Sequence, residues 1–291
     1  MTAPGPVATE DARSRAQLIA SIASQLDSAQ EARWIVEHGG PDEAQALADR
    51  RAMGEPLQYV LGRWPFRSLE LAVDPRVLIP RPETEQVVEV ALGELARLCP
   101  PGQAPDHRVC VDLGTGSGAI ALSVAIEGAV SCAGLEVWAT DASSDALAVA
   151  AANLESLAID HVDLARRMHL AEGSWFEALP ADLVGRVDVL VSNPPYVSES
   201  ELPDLDPTVR DWEPAMALVA SRGSGGVGGM AAVETIVAGA TRWLSRGGSL
   251  VVEIAPTQAY SAIDAARRGG FSNVSVERDL AGRLRILVAR R

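Results

Sequence analysis

The chain has 291 residues, 47% of them hydrophobic, enough for one large core or two modest ones. All 25 basic residues are Arg, and 39 acids bring the net charge to −14, which argues against tracking along nucleic-acid phosphates, a task for clustered cations. No apolar run is long enough to span a bilayer, and residues 1–11 are small, polar and acidic rather than a secretion signal, so a cytoplasmic protein is expected.

Residues 11–53 read as helices. Leu18, Ile22 and Leu26 share one face, Trp34 and Ile35 continue the spacing, and Pro41-Asp42-Glu43 resembles a helix start. This stretch has no glycine loop and no cluster of catalytic residue types, so residues 1–60 are expected to form a small helical docking domain. Phe66 to Ile79 alternates in strand fashion around Asp74-Pro75, which predicts a β-hairpin connector within 61–80. Residues 83–98 read as a helix, and Pro100-Pro101-Gly102-Gln103-Ala104-Pro105 as a surface loop.

From Arg108 onward strands and helices alternate, the pattern of a mainly parallel sheet covered on both faces. Strands are expected near 108–113, 135–140, 167–170, 187–192, 249–254, 272–277 and 284–289, and helices near 118–127, 143–157, 230–244 and 258–268. Asp279-Leu280-Ala281-Gly282 is too short for a crossover helix, so the last two strands should form an antiparallel hairpin. Arg278, Arg283, Arg285, Arg290 and Arg291 there read as a solvated edge. The glycine-rich stretch 223–229 follows no strand and precedes no Lys, so it reads as a flexible loop rather than a phosphate loop. Cys99, Cys110 and Cys132 lack metal spacing, their odd number fits a reducing compartment, and Cys110 reads as a core residue. His38, His107, His161 and His169 are scattered, so no metal is expected.

Two motifs carry the chemistry. In the first, the apolar run 109–111 ends in Asp112, and Gly114, Thr115, Gly116, Ser117 and Gly118 lead into a helix-period segment. Glycines here let a ligand approach the backbone and the first N–H groups of a helix. The spacing differs from the dinucleotide fingerprint. The next strand ends at Asp141, where a carboxylate can accept from both hydroxyls of a ribose, so a nucleoside is the expected ligand. The second motif, Asn193-Pro194-Pro195-Tyr196, arrives where another strand runs out. It makes a stiff corner whose proline carbonyls stay free to accept hydrogen bonds, suited to holding a planar amide or amine for methylation on nitrogen.

With both motifs in hand, the chain resembles the class I S-adenosylmethionine-dependent methyltransferases and, within them, the HemK/PrmC family of release factor glutamine methyltransferases. Also similar are the stretch 54–62, Phe66, the stretch 77–85, Glu213-Pro214 with Ala217-Leu218, and Asp279-Leu280-Ala281-Gly282. The resemblance implies a seven-stranded Rossmann-like α/β core over 81–291, with S-adenosylmethionine as cofactor and S-adenosylhomocysteine as product. It assigns Gly114, Gly116 and Gly118, with Thr115 and Ser117, to the methionine portion. Asp112 is expected near the amino group, Asp141 at the ribose, Trp175 at the adenine, and Asn193 at cofactor and substrate alike. Arg81, Glu83 and Thr84 fall in a segment covering the pocket. Asn193, Pro194 and Tyr196 are the expected catalytic residues, and with Pro195 they hold the substrate.

The implied substrate is the Gln of the Gly-Gly-Gln motif in peptide chain release factors, bound by a monomer without membrane or nucleic-acid contacts. Alternatives are a glutamine of a ribosomal protein, an amino-directed DNA or RNA base, and a non-catalytic cofactor-binding module. One departure stands out: Ala255-Pro256 follows Glu253-Ile254 where a glycine would be commoner, which puts the pocket rim in question.

Overall fold

A computed structural model describes residues 6–99, 107–220 and 229–291, with side chains from residue 13 onward. The expected loops at 100–105 and 223–229 therefore lie outside the described residues, apart from Gly229.

Two helices open the chain, α1 (Pro6–Leu26) and α2 (Ala29–Ala52). The Ser28 side chain caps α2, and the helix breaks at Gly40, where φ is 63° and Pro41 restarts it. Ile22, Ile35, Val36, Ala44 and Ala48 bury a small core between them, which also takes in Leu57 of the short α3 (Leu57–Leu61). The hairpin is shorter than expected: β1 (Arg63–Phe66) pairs with β2 (Leu69–Ala72), and Asp74-Pro75 lies beyond it. Residues 73–83 instead form an irregular strap leading into α4 (Thr84–Leu98).

The remainder alternates as predicted. β3 (Arg108–Leu113), α5 (Ala119–Glu127), β4 (Leu135–Asp141), α6 (Ser144–Leu157), a one-turn α7 (Leu164–Arg167), β5 (Met168–Glu172) and β6 (Val187–Ser192) follow in order. Two short helices, α8 (Pro207–Arg210) and α9 (Ala215–Leu218), precede α10 (Ala231–Trp243), β7 (Leu244–Glu253), α11 (Ala259–Arg268), β8 (Asn273–Arg278) and β9 (Leu284–Arg290). The seven strands lie in the order β5-β4-β3-β6-β7-β9-β8. The first five are parallel, and β9 runs antiparallel to both β7 and β8. β6 is buried along its whole length, as a parallel strand covered on both faces must be. One core layer packs α4 and α5 on one face of the sheet, and a second packs α10 and α11 on the other. The strand order reverses between β3 and β6, which opens a crevice at their C-terminal ends.

Two readings are corrected. Cys99 and Cys132 form a disulfide, their Cα atoms 6.0 Å apart, tying the end of α4 to the turn before β4; Cys110 alone is a free, buried thiol. An odd count is equally one pair and one core residue. The C-terminal arginines are a solvated edge only in part: Arg278, Arg283 and Arg291 are exposed on the hairpin that ends the sheet, while others are buried or paired. Arg285 is only 8% exposed, Arg283 bonds Asp279 and Glu83, and Arg290 bonds Glu94. Burial would raise the Glu94 carboxyl, but Arg290, Ser249 and Arg97 outweigh it and hold the pKa at about 2. β9 is an inner strand, so its charged ends need partners.

Candidate active site

The crevice holds a cavity of about 420 Å³, walled by the loop after β3, the end of β4, the turn after β5, the corner after β6, the strap, and α9. The loop is possible because Gly114, Gly116 and Gly118 all have positive φ, between 56° and 84°, a region costly for any side chain bearing Cβ. Gly114, Thr115, Gly116 and Ser117 face the cavity. Gly118 sits behind them, where an added Cβ would come within 2.9 Å of Leu122, so it serves the close approach of α5.

Asp141, at the end of β4, lines the cavity beside this loop. Its Oδ2 accepts from the Gly116 N–H at 2.9 Å and its Oδ1 from the Ser143 N–H at 2.9 Å, so the carboxylate is fixed in direction with lone pairs to spare. Trp175 lines the cavity beside Gly114, with a φ of 49° and its carbonyl accepting from Thr140 Oγ1 at 3.2 Å. A non-glycine residue held in that region is strain located at a ligand wall.

Asp112 lies beneath the loop rather than on the wall. It is fully buried, Oδ2 accepts from Thr115 Oγ1 at 2.7 Å, and Oδ1 has no partner among the described residues. Burial pushes its pKa up to about 7 against the pull of the Thr115 bond.

At the corner after β6, Asn193 and Pro195 line the cavity, and Pro194 and Tyr196, which are not in its lining, flank them in the same turn. Asn193 Nδ2 donates to Thr84 Oγ1 at 3.1 Å, and Thr84 Oγ1 donates to Glu253 Oε2 at 2.7 Å. Tyr196 is held by its carbonyl, which accepts from Gln258 Nε2 at 3.3 Å, and Gly229 packs so closely there that a Cβ would stand 2.0 Å from that oxygen. Burial raises the Tyr196 phenol above its ordinary pKa, so it stays protonated and is no base. The Ala255-Pro256 departure forms a tight turn in which Gln258 Oε1 accepts from the Ala255 N–H at 3.0 Å; the same Gln258 therefore joins this rim to the Tyr196 corner.

Arg81 of the strap and Thr84 at the start of α4 line the cavity, and Glu83 between them bonds Arg283. Arg81 forms an ion pair with the buried Glu213, which also accepts from the Ile79 N–H at 3.2 Å. Tyr59 of α3 donates to the Val77 carbonyl at 2.5 Å. Sequence reading did not single out Asn153, whose amide bonds the Ser117 carbonyl and both backbone groups of Ala72, coupling the hairpin to the glycine loop. Its signal was one Asn on a helix face otherwise facing the core.

The residues fit a nucleoside bearing an amino-acid tail: a directed carboxylate beside the glycine loop, a buried carboxylate with one unpartnered oxygen beneath that loop, and an aromatic wall next to it. The Methyltransferase small domain family matches residues 98–205. The fold is shared with the N-terminal domain of human METTL16 in complex with SAH (TM-score 0.52, 16% identity, 84% of this chain and 82% of that one). It is shared also with a methyltransferase from Pyrococcus furiosus (TM-score 0.50, 16% identity, 77% and 89%). The release factor glutamine methyltransferase of Bifidobacterium longum is 41% identical over 84% of this chain and 79% of its own length. That of Bordetella pertussis is 40% identical over 94% and 88%. Identity at this level, over most of each chain, makes this chain a member of the release factor glutamine methyltransferase family.

Proposed function

We propose that this protein methylates the side-chain nitrogen of the Gln in the Gly-Gly-Gln motif of peptide chain release factors, using S-adenosylmethionine. The observation that carries the reading is the corner after β6: Asn193 has its Nδ2 engaged by Thr84, and its Oδ1 makes no hydrogen bond among the described residues, at the edge of a nucleoside-sized cavity. S-adenosylmethionine, when bound, supplies an electrophilic methyl group. Gly114, Thr115, Gly116 and Ser117 would hold its methionine end over Asp112, Asp141 its ribose and Trp175 its adenine.

An amide nitrogen is a poor nucleophile because its lone pair is delocalised into the carbonyl. The protein's part is to orient it: Asn193 Oδ1 and the Pro194 carbonyl accept its two N–H bonds and aim the lone pair into the cavity, an entropic and electrostatic contribution. Tyr196 packs against the amide plane. A strong base is not needed, since alkylation makes the nitrogen acid enough to lose its proton to water.

Incubation with methyl-labelled S-adenosylmethionine and, separately, release factor, ribosomal protein and duplex DNA tests the reading. Label should enter release factor alone, on the Gly-Gly-Gln glutamine, and Asn193→Ala should lower the single-turnover rate about 10²–10³-fold. Label on ribosomal protein or DNA instead would overturn it.

A further inference from the structure

We propose that Thr84 and Glu253 are positioning residues that fix which way the Asn193 carboxamide faces, so that its oxygen and not its amino group meets the target amide. This rests on the reading of Asn193 as acceptor for a glutamine side chain. A carboxamide is nearly symmetrical in shape, and turning it over exchanges an acceptor for two donors. A donor facing the N–H groups of a glutamine would repel them. Something must therefore set the sense of the group, and packing alone is poorly able to do so.

Hydrogen bonding can. The Thr84 hydroxyl has one proton, and it donates that proton to Glu253 Oε2 at 2.7 Å. Only lone pairs remain toward Asn193, and only Nδ2 can bind them, as it does at 3.1 Å. The turned-over amide would set Oδ1 against those lone pairs. Thr84 is 4% exposed and Glu253 1%, so water does not compete for either bond. Three separate elements are enlisted: Asn193 follows β6, Thr84 begins α4, and Glu253 ends β7. Glu253 is thus a fixed acceptor that sends its sense through one hydroxyl to the substrate corner. Burial pushes the Glu253 carboxyl up to about 7 against the pull of the Thr84 bond and of the Arg285 guanidinium, so above that pH it is a carboxylate and can only accept.

The test uses the full chain at pH 8.5, where Glu253 is ionised, its pKa standing at about 7. Thr84→Val keeps the shape and removes the hydroxyl. At saturating S-adenosylmethionine it should lower single-turnover methylation of release factor about 10–100-fold, leaving the KM for release factor within about twofold, while Thr84→Ser restores the rate. In an Asn193→Ala background Thr84→Val should add nothing beyond about twofold, because both act through one group. A Val variant at the wild-type rate, a Ser variant as slow as Val, or additive losses would overturn the proposal.

A second readout does not depend on activity. The chain has three asparagines, Asn153, Asn193 and Asn273, so side-chain amide signals of asparagine-labelled protein can be resolved and assigned by Asn193→Ala. Thr84→Val should shift the Asn193 amide signals and speed their hydrogen exchange, with Asn273 unmoved; unchanged Asn193 signals overturn the relay. Should the Val variant fail to fold, Glu253→Gln replaces it. Gln can donate to Thr84 as well as accept, so the sense is lost and the Asn193 signals must move in the same way. Wild-type protein that does not methylate Gly-Gly-Gln would overturn the function and leave the amide signals to judge the relay.

Discussion

At the scale of single residues, the site is built from carboxylates in different electrostatic conditions. Asp141 is half-buried and accepts from two backbone N–H groups, so Asp141→Ala removes both the expected ribose acceptor and the tether of the glycine loop. Calorimetry should show S-adenosylmethionine affinity weakened by about 1.5–3 kcal/mol, the scale of bonds to a charged group; unchanged affinity in a folded variant would remove Asp141 from the ribose. Asp112 differs, since burial raises its pKa to about 7 from 3.8. Between those values the folded chain holds a proton that the unfolded chain has lost, so stability falls as pH rises through the window and the full cost of burying the charge is present above it. Asp112→Asn removes the charge and can keep the Thr115 bond. Thermal melts without cofactor should show it more stable than wild type at pH 8, with the advantage shrinking toward pH 5, and each kcal/mol should move Tm about 2–4 °C. An advantage independent of pH would mean that Asp112 is not neutralised in the fold.

At the scale of elements, the strap between β2 and α4 is the piece that the sequence described least well. Its alternation around Asp74-Pro75 reads as a strand, yet its partners are side chains: Glu213 takes the Ile79 N–H and Arg81, and Tyr59 takes the Val77 carbonyl. Those partners come from positions 59 and 213, and no local periodicity reports contacts at such separation. The strands of the sheet were legible because burial on both faces writes short apolar runs such as Val189-Leu190-Val191 within Val187–Ser192. The glycine loop was legible because its three positive-φ positions admit little else. Asn193 was visible in the sequence, but its orientation was not, since Thr84 and Glu253 lie 109 and 60 residues away along the chain. One-turn helices such as α8 and α9 are too short to show a period. The strap yields its own prediction. Glu213→Ala leaves Arg81 without its carboxylate and the Ile79 N–H without its acceptor. The loss in urea denaturation should fall below the roughly 3–5 kcal/mol of a fully buried pair, because Arg81 is partly exposed. Limited proteolysis should cut within 73–83 faster than in wild type, and S-adenosylmethionine should slow that cutting, since Arg81 lines its cavity. Equal rates of cutting would mean that Glu213 does not hold the strap.

At the scale of the whole molecule, the described residues of the helical N-terminal part contribute no wall to the cavity, whose lining begins at Arg76, and this motivates a docking role. Where to divide the chain is a matter of packing rather than of residue number. Tyr59, Val73 and Val77 share a core with Ala146 and Val149 of α6, so a cut after residue 75 would open the methyltransferase body itself. A cut after Met53 removes α1 and α2, uncovers Leu57, Leu61 and Trp64, which pack against those helices, and takes Arg50 from Glu55 and the Tyr59 carbonyl, but leaves the core shared with α6 in place. The chain lacking residues 1–53 should therefore keep its S-adenosylmethionine Kd within about twofold, as expected when the deleted part shares no partner with the site. It should lose at least about tenfold in kcat/KM on intact release factor, a loss of about 1.4 kcal/mol of recognition, carried mainly by KM. Methylation of a short Gly-Gly-Gln peptide, which cannot reach the helices, should be equal for the two chains. Two outcomes would refute docking: equal kcat/KM on intact release factor, or the same proportional loss on peptide and protein, which would place the defect in the corner after β6 rather than on the helical surface.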